Sequence, residues 1–230
     1  ACEHSHGPRT QICLERRGIN TWVRSWCPSG EMRGMVIRHG EAFSISERLT
    51  CVDEEGGVIY RPTVHYAYCP CEDAIGSLDE LRSNEYQRHQ HERILRNEIV
   101  SGRDELGCLL MGHDYKSWWI GSMLDIEESR TLVPGQNPTT VQVASSVLGA
   151  LFWMIRNPEK GVKLPDDLPH EEVLDIAMPY LGPFQSQPVD WSPRLNGHLG
   201  SVKKAGRTNK PRDNGDDHED WQFEQFLIAT

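Results

Sequence analysis

Between Arg61 and His113 the chain mixes apolar, strand-like runs with ionisable side chains that a strand core does not ordinarily admit. RPTVHYAYCP reads as a strand carrying His65, Tyr66 and Tyr68. EIVSGRDELGCLLMGH sets Glu98, Asp104, Glu105 and His113 around an apolar run. Charges this close to a core need a partner or a purpose. The stretch therefore calls for short strands interleaved with helices and polar turns, with chemistry at the strand ends.

The flanking pattern agrees. Asn20–Cys27 alternates Trp22, Arg24 and Trp26 against Val23 and Ser25, the period of a strand. Met32–Arg38 is a second strand candidate, closed by His39-Gly40, and Glu41–Thr50 a short helix. Thr63–Cys69 is a strand; alternation puts His65, Ala67 and Cys69 on one face and Tyr66 and Tyr68 on the other. Ala74, Ile75, Leu78 and Leu81 follow helical spacing over Glu72–Leu81. Arg93–Val100, Glu105–Met111 and Ser117–Leu124 are further strand candidates, and Asp125–Leu132 a helix. Thr139 or Thr140 is expected to cap a long helix through Arg156, its stripe made by Ala144, Val147, Leu148, Leu151 and Ile155. That helix is expected to be buried on more than one side. Glu171–Tyr180 is another helix, and Leu181–Pro193 is extended. Residues 1–18 are polar. Residues 194–220 join a basic to an acidic block and read as a disordered linker. Trp221, Phe223, Phe226 and Leu227 suit residues 221–230 to a terminal anchor.

Composition narrows the function. A formal charge of -10 argues against nucleic-acid binding, which needs a basic footprint. It is compatible with a cationic small substrate, although many proteins are acidic for solubility alone. No run of about 18 apolar residues occurs, so no membrane span is expected; the longest apolar stretch is Val147–Ile155. The start, ACEHSHGPRT, has no apolar signal-peptide core. Seven cysteines without framework spacing suggest reduced thiols in a cytoplasmic protein. A zinc site is not expected from Cys69-x-Cys71, His65, His89, His91, Cys108 and His113, because the pairs lack ligand spacing. Trp22, Trp26, Trp118, Trp119 and Trp153 read as packing residues rather than cation–π partners.

Two residues stand out as candidate chemistry. His39 sits where a strand ends and a helix begins, a good place for a catalytic group, with Glu41 near enough to orient its ring. The plainer reading is a surface or capping histidine. Asp104 lies in VSGRDELG between a polar turn and an apolar run, where a carboxylate could hold an ammonium group. The plainer reading is a turn or strand-edge aspartate.

Long strings carry a resemblance. RPTVHYAYCPCEDAIGSLDEL, EIVSGRDELGCLLMGH, WWIGSMLDIEESRTLVPGQNPTTVQVASSVLGA and PYLGPFQSQPVDWSP resemble the bacterial homospermidine synthase family, within the saccharopine dehydrogenase-like group. The match runs from about Trp22 to Trp191, and DWQFEQFLI is similar to the family's terminus. RHGEAFSIS is similar to the family's active-site histidine segment, with Gly40 and Ala42-Phe43 departing from the commoner wording. SGRDELG is similar to a string whose aspartate lies in the active-site surroundings. The resemblance thus assigns site roles to His39 and Asp104.

The resemblance implies an α/β (α+β) fold. A mixed-sheet catalytic and dimerisation region would occupy about 19–132, and a helical return segment about 133–193. It implies an upstream Rossmann domain that binds NAD. The chain holds no Gly-x-Gly-x-x-Gly string and opens on Ala1, so it is expected to begin after that domain. The implied activity is a transferase forming homospermidine and ammonia from two putrescines through imines, with recycled hydride and a homodimeric enzyme. A saccharopine- or opine-type oxidoreductase, with Arg61 or Arg103 as carboxylate clamp, stays open, as does a non-catalytic dimerisation module.

Overall fold

A computed structural model describes residues 14, 16–91, 94–193 and 221–228. The stretch 194–220 and nearly all of the polar N-terminal end lie outside the described residues. The chain divides into two compact units. One takes the described residues up to Cys69, Leu109–Trp118, and those from Pro188 onward; the other takes Pro70–Cys108 and Trp119–Gln187.

The first unit is built on a hairpin. Strand β1 (Trp22–Cys27) pairs antiparallel with β2 (Gly30–Ile37), from Trp22 opposite Met35 to Cys27 opposite Gly30. The two-residue turn Pro28-Ser29 closes it because Gly30 takes φ +114°, which side chains resist. After β2 come helix α1 (Gly40–Arg48), a small pair β3 (Cys51–Val52) and β4 (Val58–Tyr60), and β5 (Tyr66–Tyr68). Strand β5 returns to β2 with Ile37 opposite Tyr66 and Val36 opposite Ala67, giving the order β1-β2-β5. Alternation then sorts the faces. Val23, fully buried, shares the core with Val36 and Ala67.

The described end of the chain closes this core. Helix α6 (Phe223–Phe226) buries Phe223 and Phe226 against Val23, with Leu14, Met111 and Trp191 packed around them. The Ile228 amide donates to the Trp22 carbonyl at 2.9 Å, so the backbone extends the hairpin edge. Arg24 forks onto Glu31 at 2.8 and 3.2 Å and also donates to the Pro193 carbonyl. Trp191 Nε1 donates to the same Glu31 carboxylate at 2.9 Å. These contacts hold Glu31 below the usual carboxylate range, the Arg24 hydrogen bond most of all.

The second unit carries helix α2 (Glu72–Ser83) and strands β6 (Arg103–His113), β7 (Lys116–Asp125) and β8 (Phe184–Val189), ordered β6-β7-β8. Residues 109–113, 116–118 and 188–189 of these strands are counted with the first unit. Helix α3 (Ile126–Leu132) starts on a capping box: the Asp125 carboxylate accepts the Glu128 amide while Glu128 reaches back to the Asp125 amide. Helix α4 (Pro138–Arg156) packs on α5 (His170–Ala177). Trp119, Met123, Leu124, Ile126, Val141, Trp153, Ala177 and Leu181 form the unit's buried apolar set.

Three expectations are corrected here. Residues 94–100 form no strand: the Glu98 carboxylate takes the Arg96 amide at 2.6 Å, and Ile94 and Val100 are exposed. The cap of α4 is Asn137, whose Oδ1 accepts the Thr140 amide at 2.9 Å, with Pro138 in the first turn. The buried face of α4 is Val141, Gln142, Ser145, Gly149 and Trp153, while Val147, Leu151 and Ile155 of the expected stripe are exposed. By length and composition alone α4 could cross a membrane. On its inward face Gln142 is fully buried and donates to Ser122 Oγ at 2.8 Å within the unit.

Candidate functional site

His39 belongs to the first unit. It ends the extended run of β2 with φ -132° and ψ 139° and stands at the N-cap position of α1, yet its side chain makes no capping bond. The capping reading therefore fails. The imidazole is engaged elsewhere. Its Nδ1 pairs with the Glu41 carboxylate, on the first turn of α1. Its flat face stacks on the Tyr66 ring, with centroids 4.6 Å apart and planes 16° from parallel. The stack follows from register: Ile37 faces Tyr66 across the β2-β5 pair, so two residues on His39 is the diagonal neighbour on the same face. The His39 side chain keeps 40% of its exposure, enough to be reached from solvent.

On the opposite face of β5, the His65 ring lies edge-on to Phe223 at 5.3 Å and Phe226 at 5.1 Å. Burial pushes its imidazole down to about 4, with no charged neighbour contributing. His65 is a packing histidine.

Asp104 belongs to the second unit. Within β6, Arg103 and Glu105 pair with each other at 2.5 Å, and Asp104 between them points to the other face by strand alternation. There its Oδ2 accepts a 2.5 Å hydrogen bond from the Thr139 hydroxyl, in the first turn of α4. Among the described residues no cationic side chain pairs with Asp104, and the residue is half-buried. A half-buried carboxylate held by a single hydroxyl suits an ammonium group. Each candidate thus has a defined local setting in its own unit.

Tyr66 and Thr139 are the partners that sequence reasoning did not single out. Alternation already set Tyr66 apart from His65; its meeting with His39 depends on strand register. Among the described residues no group of three or more His, Cys, Asp and Glu side chains is placed to hold a metal.

The small sheets, antiparallel in β1-β2-β5 and β3-β4 rather than mixed as expected, and the helices beside them define an α/β domain of saccharopine dehydrogenase-like type. The saccharopine dehydrogenase C-terminal domain model matches residues 3–189, and the chain belongs to that family. It is 40% identical over 228 residues to the homospermidine synthase of Mesorhizobium japonicum (strain LMG 29417 / CECT 9101 / MAFF 303099), covering 98% of this chain and 45% of that protein. It is 39% identical over 226 residues to the homospermidine synthase of Blastochloris viridis, with the same coverage. The crystal structure of a homospermidine synthase from Legionella pneumophila in complex with NAD matches with a TM-score of 0.82 at 38% identity, covering 98% of this chain and 47% of that one. The chain spans about half the length of the curated relatives it matches.

Proposed function

We propose that this chain is part of a homospermidine synthase, which joins two putrescine molecules into homospermidine and releases ammonia. The observation that carries this is the likeness, at 38–40% identity over 98% of the chain, to three homospermidine synthases. Their agreement over nearly the whole chain favours a transferase over a related oxidoreductase.

The chain's own residues fit diamine chemistry. A primary amine is an ammonium near neutral pH and lacks the lone pair needed to attack an imine carbon. It must first lose a proton. With Nδ1 paired to Glu41, His39 has Nε2 left as the atom that can take that proton. Asp104, fixed by Thr139, holds the ammonium end of a diamine. When bound, NAD supplies a hydride acceptor whose hydride is given back within the turnover. No Gly-x-Gly-x-x-Gly loop occurs in this sequence to cradle its pyrophosphate, so we assign NAD mainly to sequence beyond this chain.

We extend the proposal to a homodimer, on the family resemblance, and to a cytoplasmic location. The latter is supported by Cys51, Cys69, Cys71 and Cys108, none of them in a disulfide. The test is to incubate the full-length protein carrying this chain with putrescine and catalytic NAD. Homospermidine and ammonia in equal amounts, without net NADH, are the expected products, and both are lost in His39→Ala and Asp104→Ala. Accumulating NADH would replace the transferase reading with a dehydrogenase.

A further inference from the structure

We propose that Tyr66 is a positioning residue for His39, fixing the plane of the imidazole so that Nε2 stays on the line along which the amine proton leaves. The proposal rests on the reading of His39 as the proton-handling group. An imidazole on a strand-to-helix junction has two side-chain torsions to fix. The Glu41 carboxylate restrains the ring at Nδ1 alone, and a contact at one atom leaves rotation about it free. Only a contact on the ring face removes the second freedom. Tyr66 provides it, at 4.6 Å and 16° from parallel. The two constraints come from different elements, Glu41 from α1 and Tyr66 from β5.

Tyr66 is itself well supported. It sits in register opposite Ile37 on the central strand of its sheet, and its ring lies 6.4 Å from that of Tyr68 on the same face. Its half-burial lets it brace the histidine while the His39 edge stays open to solvent. No proton passes through the phenol in this role, so a phenylalanine should serve as well. A proton-relay role for the hydroxyl makes the opposite prediction.

The test uses the full-length protein carrying this chain, with Tyr66→Leu and Tyr66→Phe beside the wild type. NMR of the ring reads the geometry directly. A face-on stack moves the His39 carbon-bound protons upfield by ring current, and the nitrogen shifts report which nitrogen is protonated. The expected result is upfield-shifted His39 ring protons in the wild type and in Tyr66→Phe, with that shift lost in Tyr66→Leu while the nitrogen shifts stay the same in all three, since Glu41 still holds Nδ1. In turnover, Tyr66→Leu should lose about ten-fold in kcat with KM within about two-fold, and Tyr66→Phe should recover nearly all of it. Unshifted His39 signals in the wild type would overturn the proposal, whether or not the leucine variant folds. So would a lost shift with unchanged kcat, or a Tyr66→Phe variant as slow as Tyr66→Leu. Full activity in His39→Ala would instead sink the assigned role of His39, and the NMR signatures would then decide the stacking claim alone.

Discussion

His65 makes the stability of the first unit fall in mild acid. Its ring is packed edge-on by Phe223 and Phe226, and burial takes its imidazole from 6.5 to about 4. Above the unfolded value both states hold a neutral ring and nothing is at stake. Below it the unfolded chain binds a proton that the folded one refuses, so stability drops by about 1.4 kcal/mol per pH unit until the folded value near 4 is reached. At about pH 5 the loss is about 2 kcal/mol, and the solvent contact His65 retains makes that a ceiling. His65→Phe keeps a ring of similar size and removes the titration. Carboxylates elsewhere titrate in both proteins and cancel in the difference. Urea unfolding at about pH 7.5 and about pH 5, followed by tryptophan fluorescence, should show the wild type losing about 2 kcal/mol more than the variant. Parallel losses in the two proteins would refute the argument that burial alone keeps the ring neutral.

Two further outcomes follow from the second unit. Gly121 and Gly107 let β6 and β7 approach so closely that a methyl on Gly121 would run into Gly107 Cα and the Leu106 carbonyl; Gly121→Ala should cost at least about 2 kcal/mol, read as a fall in Tm. Thr139→Val keeps the shape of the first turn of α4 and deletes the donor to Asp104. It should leave stability within about 0.5 kcal/mol, because the position is exposed, and raise the KM for putrescine about three- to ten-fold in the full-length protein. An unchanged KM would mean that Asp104 holds no substrate ammonium.

The parts of the fold legible in the sequence are those where two-residue alternation meets a one-sided core. Val23 against Trp22 and Arg24, and His65 and Ala67 against Tyr66 and Tyr68, could be sorted before any pairing was known, because a strand side chain has only two directions. The Asp125 cap was hidden inside the expected helix, since Asp-x-x-Glu there is followed by few apolar residues. Residues 94–100 misled for a different reason. Ile94, Leu95, Ile99 and Val100 have strand character, but the local bond between Glu98 and the Arg96 amide competes with a ladder, and β-propensity does not register that competition.

The candidate site was legible one residue at a time and illegible in its partnerships. His39 and Asp104 could be picked out by type, position and resemblance. Tyr66 lies 27 residues from His39, and Thr139 lies 35 from Asp104, so each contact depends on a strand register or a helix placement rather than on local spacing. Helix α4 shows the same limit in packing. It is apolar nearly all round, so hydrophobic periodicity offers several faces and selects none. The inward face is chosen by its small and polar members. A side chain at Gly149 would strike the Val173 carbonyl 2.7 Å away, and Gln142 needs Ser122. Close approach and a buried hydrogen bond constrain geometry more tightly than apolar area does, which is why Val147, Leu151 and Ile155 stay exposed while a glutamine is buried.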